Sequence, residues 1–234
     1  MVVALLASVL VSVSLVVLPA ERAEAQTAQT LVANTGQASA GNRSLAQDRA
    51  QAFTTGSHAG GYVLTSVEAV FALVSSLDAS NLAVSVHADS SGAPGASVGA
   101  LANPGSFPDS SSAQTFAFTS DGIYLAANTT YHVVFDTATS NGGSALAFTS
   151  ASGEDSGAAA GWSIADGRSF RAFDSTGAYS ASNGSHLIAL SGTQAVGCAT
   201  ADSDGSYEVP YDWALKPRNL TDGNTFRLLF VSST

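Results

Sequence analysis

The sequence predicts an all-β fold, an antiparallel β-sandwich that is jelly-roll-like, preceded by an N-terminal signal helix. From Leu31 to about Gly192, short runs rich in Val, Ile, Thr, Tyr and Phe alternate with clusters of Gly, Ser, Asn and Asp. No segment in this region keeps a helical period. Apolar and polar residues alternate within the clearest runs, as expected for sheets that bury one face.

The first element is an apolar run over Val2–Leu18, followed by Pro19 and by the triplet Ala23-Glu24-Ala25. This order is typical of a secretory signal peptide, and we expect cleavage after Ala25. The alternative is a retained membrane anchor, but the run is shorter than the roughly 20 apolar residues that span a bilayer. The sequence therefore predicts an exported protein, secreted or held at the cell surface.

The strands follow in order, each bounded by residues that favour turns. We expect them at Leu31–Asn34, Ala50–Thr54, Tyr62–Val74, Leu82–Asp89, Thr115–Thr119, Ile123–Leu125, Thr130–Thr137, Ala145–Ser150, Trp162–Ile164 and Ser185–Leu190.

Two strands allow their faces to be assigned from the alternation alone. The residues expected in the core are Leu82, Val84, Val86, Tyr131, Val133 and Phe135. His87 and His132 fall on the opposite, more polar face. Phe116 and Phe118 repeat the alternation, so a core of Val, Leu, Phe and Tyr between two sheets is expected.

Gly and Pro mark the connections. The segment 89–95 contains Gly92, Pro94 and Gly95, which favour a turn between antiparallel strands. Asn141–Gly143 is a second turn signal, and the Gly, Ala and Ser of Ala151–Gly161 predict a long surface loop.

The composition changes after the last strand. Residues 194–207 are predicted as a linker, and 208–234 bring a new density of aromatic and aliphatic side chains. We expect residues 1–25 to be the signal peptide, 26–193 the β-sandwich domain and 208–234 the incomplete start of a second extracellular module.

An ordered set of motifs is similar to that of a known family. The motifs are Leu31–Gln37, Ala50–Ser57, Gly61–Val67, Val84–Gly95, Leu125–Tyr131, Gly153–Gly157 and Gly161–Ile164. Over about residues 31–192 the chain resembles the bacterial choice-of-anchor R domain. The resemblance implies an exported surface protein whose domain is followed by a sorting anchor, and it brings no catalytic residues with it.

The charge balance argues against two classes of partner. The chain has 8 Lys and Arg against 18 Asp and Glu, for a formal net charge of −10. Few cations are available to neutralise phosphates, so we expect no nucleic-acid partner and membrane contact only through the signal peptide or an anchor. Cys198 is the only cysteine, which rules out a disulfide within the chain.

One candidate sugar site surrounds Trp162, because an exposed aromatic ring can stack on a sugar while Asp166, Arg168 and Arg171 bind its hydroxyls. The aromatics Phe170, Phe173 and Tyr179 lie in the same stretch. The favoured alternative is that Trp162 and Phe170 pack into the end of the core, since isolated aromatics in β proteins are more often packed than displayed.

A candidate calcium site lies in the predicted linker. Asp202, Asp204 and Glu208 surround Gly205 in a short acidic loop, and calcium prefers carboxylate and carbonyl oxygens. The spacing is too short for an EF-hand, and an acidic linker accounts for the same residues. No other cofactor is indicated.

The remaining motifs do not indicate catalysis or a transition-metal site. Ser156 lies in Gly153–Gly157, which superficially resembles a serine-protease motif, but Glu154 interrupts it and no histidine has the required context. The four histidines, at positions 58, 87, 132 and 186, are too far apart to form a zinc signature and are expected to be exposed.

The function predicted from these observations is that of a non-enzymatic exported surface module for cell-surface display, adhesion or matrix contact. Its expected partners are a surface polysaccharide or a matrix protein. The alternative is a carbohydrate-binding module attached to an extracellular hydrolase.

Overall fold

A computed structural model describes residues 27–137, 141–172 and 179–195 of the chain. These ranges form an all-β antiparallel sandwich, which confirms the predicted fold class. The predicted signal helix, the end of the linker and the predicted second module lie outside the described residues. None of the described residues forms a helix long and apolar enough to cross a lipid bilayer.

The described ranges contain thirteen strands and one short 3-10 turn, at Ala79–Asn81. The strands are β1 (Gln29–Ala33), β2 (Gly41–Leu45), β3 (Asp48–Thr54), β4 (Tyr62–Leu73), β5 (Leu82–Ser90), β6 (Ala93–Leu101), β7 (Gln114–Leu125), β8 (Thr130–Thr137), β9 (Asn141–Thr149), β10 (Ser163–Ala172), β11 (Ser180–Ser182), β12 (Ser185–His186) and β13 (Ile188–Gln194).

The strands form two sheets. The seven-stranded sheet has the order β1-β13-β4-β9-β12, with β7 paired to β4 and β2 paired to β9. The six-stranded sheet has the order β11-β10-β3-β8-β5-β6. Each sheet turns one face toward the other, and the apolar side chains of these two faces make the core.

Aromatic side chains dominate the core. Phe71 packs edge-on against Phe116, and Phe118 packs edge-on against Phe135 of the other sheet. The predicted core residues of β5 and β8 are all buried, so the face assignment is confirmed for both strands. Edge-to-face rings add to the stabilisation that burial alone supplies.

Three strands, β2, β6 and β11, were not predicted; β7 was predicted as two strands, and β12 and β13 were predicted as one. The strand β6 consists mostly of Gly, Ala, Ser and Pro, β11 contains only Ser and Ala, and β2 has Leu45 as its single large apolar side chain. Their side chains are mostly exposed or half-buried, so no alternation of apolar and polar residues marks them. The segment Gln114–Leu125 is one continuous strand, with an irregular register against β4 where a break was predicted.

The turn signals were partly right. Gly92 has φ of 82° in the turn between β5 and β6, as predicted, whereas Pro94 and Gly95 already belong to β6. The Asn141–Gly143 signal falls at the start of β9. Residues 151–161 form the predicted long loop, between β9 and β10.

The described domain begins and ends at the same end of the sandwich. In the seven-stranded sheet Gln29 pairs with Gly192, and Gln194 pairs with Tyr62 at the start of β4. We call this the entry end. The opposite end, which we call the far end, carries the end of β4 at Leu73 and the bridge between Val74 and Ser110.

Candidate functional site

Trp162 lies in the core, as the favoured packing alternative predicted. Its ring is 4% exposed and stacks on Phe53, with centroids 6.0 Å apart and planes 2° from parallel. Tyr62 packs edge-on against it at 4.9 Å. Because Phe53 and Tyr62 cover the indole, the Trp162 ring is not accessible for stacking on a sugar. Phe170 is also buried, on the outer face of the six-stranded sheet.

The polar residues of the candidate sugar site lie on a wide bulge of β10 and just beyond it. Ile164 pairs with Phe53 and Ser169 pairs with Gln51, so residues 165–168 stand opposite a single residue of β3. Bulges of this kind redirect side chains. Asp166 accepts hydrogen bonds from the Gly153 amide at 2.9 and 3.0 Å, while Arg168 reaches the Gly92 carbonyl at 3.4 Å.

The bulge is held by a buried polar network, which we define as Asn34, Gln51, Ser185 and His186. The Gln51 amide nitrogen donates to the Ala52 and Ala165 carbonyls at 3.1 Å, and its oxygen accepts from the His186 amide at 2.7 Å. The network joins the two sheets, because Gln51 belongs to β3 and His186 to β12. A lone Gln in an apolar run gives no sign of this role in the sequence.

Asn34 and Ser185 complete the buried polar network. The Asn34 side chain donates to the His186 carbonyl and accepts from the Ile188 amide, at 3.1 and 2.8 Å. The Ser185 hydroxyl donates to the Ala165 carbonyl and accepts from the Gly167 amide, at 2.9 and 3.0 Å. Backbone groups that the irregular strands leave unpaired are thereby satisfied by side chains.

Ser156 lies exposed in the loop between β9 and β10. The carboxylates beside it serve the backbone: Asp155 accepts from the Gly36 amide at 2.8 Å, and Glu154 accepts from the Ile164 amide at 2.9 Å. The Asp155 amide in turn donates to the Ala33 carbonyl. This loop is therefore fastened to β1 and β10 by its own acidic residues.

The expectation that all four histidines are exposed is wrong. His132 and His186 are each 1% exposed, and His58 and His87 are half-buried. His132 does lie on the outer face, as predicted, but Phe170 packs edge-on against its ring at 5.2 Å. Phe170 and Tyr179 cover the middle of the outer face together with Val134 and several alanines, so this face is not fully open to solvent.

His132 and Asp89 form an ion-pair geometry on the outer face. The Nε2 atom of His132 lies 2.8 Å from a carboxylate oxygen of Asp89. Burial lowers the pKa of His132, and the Asp89 carboxylate partly opposes this shift. The hydrogen bond to His132 lowers the pKa of Asp89. A neutral imidazole donating to an ionised carboxylate agrees with both directions.

We expect Asp89→Asn to destabilise the protein by about 1 kcal/mol at pH 7, because a hydrogen bond with one charged partner, partly exposed to solvent, is lost. Asp89 also accepts from the Gly92 amide at 3.0 Å, so the β5–β6 turn loosens as well. Urea unfolding measures the change. Ser90→Ala, at an exposed position of the same turn, is the control, and an equal loss in both variants would contradict this role.

His87 links two neighbouring strands. Its Nδ1 atom lies 2.6 Å from the Gly95 carbonyl on β6, and its Nε2 atom lies 2.9 Å from the Ser85 hydroxyl on β5. Because a carbonyl only accepts, Nδ1 carries the proton in the bond to Gly95, and Nε2 is left to bond the Ser85 hydroxyl. The ring therefore holds β6 in register beside β5.

Two carboxyl groups meet at the far end of the outer face. Arg49 pairs with Phe135, so the next residues along the two strands, Asp48 and Asp136, face each other. Burial, the Asp48 charge and a hydrogen bond between the carboxyls raise the pKa of Asp136. Burial and the two carboxylates raise the pKa of Tyr179 to about 12.

Asp136→Asn is expected to stabilise the protein at pH 7 by about 0.2–1 kcal/mol, the range for like charges opposite each other in a sheet. The raised pKa means that the stabilising contribution of Asp136 is present below its unfolded value of 3.8 and lost as the pH rises through its folded value. The gain should therefore vanish near pH 3. Chemical unfolding at both pH values, with the exposed Glu68→Gln as control, measures it; a loss of stability at pH 7 would contradict the repulsion.

The candidate calcium residues Asp202, Asp204 and Glu208 lie outside the described residues. Within the described ranges, no group of three or more His, Cys, Asp or Glu side chains is placed to hold a metal ion.

Comparison of the sequence with protein-family models and with curated proteins finds no match. The resemblance to the choice-of-anchor R domain therefore stays a prediction from the motifs.

Proposed function

We propose that this chain is a non-enzymatic exported module that acts at the cell surface by contact, as a display or adhesion domain. The signal-peptide pattern supports export, and the resemblance to choice-of-anchor R domains supports attachment at the surface. The strongest support is that the described domain begins and ends at the same end of the sandwich, the entry end. A module tethered at that end presents its far end outward.

Hydrogen bonds between the connections at the far end stiffen it. The Ser76 amide donates to Asp109 at 2.6 Å, which ties the β4–β5 connection to the β6–β7 connection. The Asn103 side chain donates to the carbonyls of Ala79 and Leu82. Rigid loops lose less conformational entropy when they bind, so they suit a preorganised contact surface.

The carbohydrate-binding alternative is less well supported. The candidate sugar site keeps the polar residues Asp166, Arg168 and Arg171, but the Trp162 ring that would stack on a sugar is buried. Under the proposal, a surface polysaccharide would be bound by polar contacts at the far end.

Labelling of intact cells tests the proposal. An antibody raised against the full chain should label unpermeabilised producing cells, and mass spectrometry should find a mature N-terminus at Gln26. Labelling that appears only after permeabilisation, or a retained Met1, would contradict export to the surface.

A further inference from the structure

Asparagine is followed by glycine at two places in the chain, at Asn141 and Gly142 and at Asn183 and Gly184, and serine precedes the asparagine in both. The two sites differ in backbone structure. Asn141 lies in β9, where it pairs with Leu45 of β2. Asn183 and Gly184 lie between β11 and β12, where the chain passes from the six-stranded sheet to the seven-stranded sheet. We call Asn183 and Gly184 the sheet crossover.

An arginine is bound to the peptide group that joins the two residues of the sheet crossover. The Nη2 atom of Arg43 donates to the main-chain carbonyl of Asn183 at 2.7 Å. The guanidinium lies 4.1 Å from the centroid of the Phe148 ring, and a Cβ atom added at Gly184 would lie 2.5 Å from the same ring. The Phe148 ring therefore holds the guanidinium and the crossover backbone next to each other.

The hydrogen bond from Arg43 affects the chemistry of the Gly184 nitrogen. Resonance in a peptide group couples the carbonyl oxygen to the amide nitrogen. When the Gly184 N–H loses its proton, the negative charge is shared with the Asn183 carbonyl oxygen. A charged donor already fixed on that oxygen stabilises the amide anion more than the neutral peptide group. Arg43 therefore raises the population of the anion, which is the form of the Gly184 nitrogen that can attack a carbonyl carbon.

The carbonyl carbon within reach of this nitrogen is Cγ of the Asn183 side chain. Asn183 is exposed, so hydroxide and water can reach its amide group. Gly184 has φ of 85° and carries no side chain that would crowd the attacked carbon. At Asn141, in contrast, the extended backbone of β9 is held by its pairing with β2, so the same attack requires the strand to open. The fold therefore favours reaction at Asn183.

We propose that the sheet crossover is a self-modification site, at which Asn183 deamidates through a cyclic imide while Arg43 stabilises the attacking Gly184 amide. The Gly184 nitrogen gives its proton to hydroxide and forms a bond to the Cγ atom of Asn183. The bond between Cγ and Nδ2 then breaks, and Nδ2 takes up a proton and leaves as ammonia. Water opens the imide at either of its carbonyls, which leaves an aspartate or an isoaspartate at position 183.

The product changes the charge at the sheet crossover. Opening of the imide at the former main-chain carbonyl gives isoaspartate and turns the group that Arg43 binds into a carboxylate. The guanidinium then holds an anion where it had held a neutral carbonyl. The modification therefore adds one negative charge, next to a cation, where the chain crosses between the sheets. This inference goes beyond the proposed display role and does not depend on it.

Peptide mapping by mass spectrometry tests the site in the full chain, incubated at mildly alkaline pH both folded and unfolded in urea. Conversion of the side-chain amide to an acid is followed at positions 183 and 141 of the same sample, since both asparagines lie between serine and glycine. The ratio of the rate at position 183 to the rate at position 141 should be at least about tenfold larger in the folded protein than in urea. A ratio no larger in the folded protein than in urea would overturn the proposal.

Arg43→Gln should slow conversion at position 183 of the folded protein about tenfold, the usual effect of losing a hydrogen bond to a charged group. Arg168→Gln is the matched control, because the exposed Arg168 also donates to a main-chain carbonyl, that of Gly92 at 3.4 Å. If Arg43→Gln does not fold, Arg43→Met takes its place, since it keeps packing on Phe148 and removes the donor. Equally fast conversion in the Arg43 and Arg168 variants would contradict the activation by Arg43 and overturn the proposal.

Discussion

Replacing His186 with leucine is expected to flatten the acid side of the protein's pH–stability profile. Burial is the largest cause that lowers the pKa of His186 to about 3, followed by the charge of Arg49. The Ala147 carbonyl partly opposes the shift. In the unfolded chain the imidazole takes a proton near 6.5, whereas in the folded protein it stays neutral.

The sign follows from this difference. The contribution of neutral His186 to the free energy of unfolding is fully present above about pH 6.5. It is lost as the pH falls toward about 3. One proton costs about 1.4 kcal/mol for each pH unit in that window. His186→Leu keeps the backbone bond to Gln51, so it should match the wild type at pH 7 and exceed its stability by about 2–3 kcal/mol at pH 4.5.

Urea unfolding at pH 7, 5.5 and 4.5 measures this effect. His58→Leu, at a half-buried histidine, controls for the removal of one imidazole. If the wild type and His186→Leu lose stability in parallel between pH 7 and 4.5, the ring is protonated in the folded protein and the assignment is wrong.

Gln51→Leu is expected to destabilise the protein by about 2–3 kcal/mol at pH 7. The leucine fills similar space but leaves the buried His186 amide without its acceptor, which costs about 1–3 kcal/mol, and removes one of the two donors to the Ala165 carbonyl. Because Gln51 also sets the bulge of β10, the variant should lose hydrogen-exchange protection at residues 163–172 first.

Gln194→Leu is the matched control, since it makes the same change at an exposed position of β13 and should alter stability by less than about 0.5 kcal/mol. A Gln51→Leu variant as stable as this control would mean that the buried polar network does not join the sheets.

The sequence predicted the fold class and most strands because apolar alternation directly reflects a half-buried sheet. Leu82, Val84 and Val86 illustrate this, since period two alone placed them in the core. The strands β2 and β6 were missed for the same reason, because Gly41–Leu45 and Ala93–Leu101 bury few side chains.

Charge and polar arrangement were far less predictable. The pairing of Arg49 with Arg171 and of Asp48 with Asp136 depends on the register between strands that are distant in sequence. The burial of His132 depends on Phe170. This residue lies on the outer face because the bulge before it changes the alternation of β10. Local patterns hold no information on such register, so tertiary pairing decided these sites.

Attachment of a blocking polymer at either end of the sandwich tests the proposed contact role most directly. In a Cys198→Ser background, Ser112→Cys places a thiol at the far end and Ser57→Cys places one near the entry end, both at exposed positions. Each is coupled to maleimide polyethylene glycol, and beads coated with the full chain are applied to polysaccharide purified from the producing cells' surface. We predict that the polymer at Ser112→Cys abolishes bead adhesion while the polymer at Ser57→Cys leaves it intact. Equal adhesion of both, or loss only at Ser57→Cys, would contradict contact through the far end.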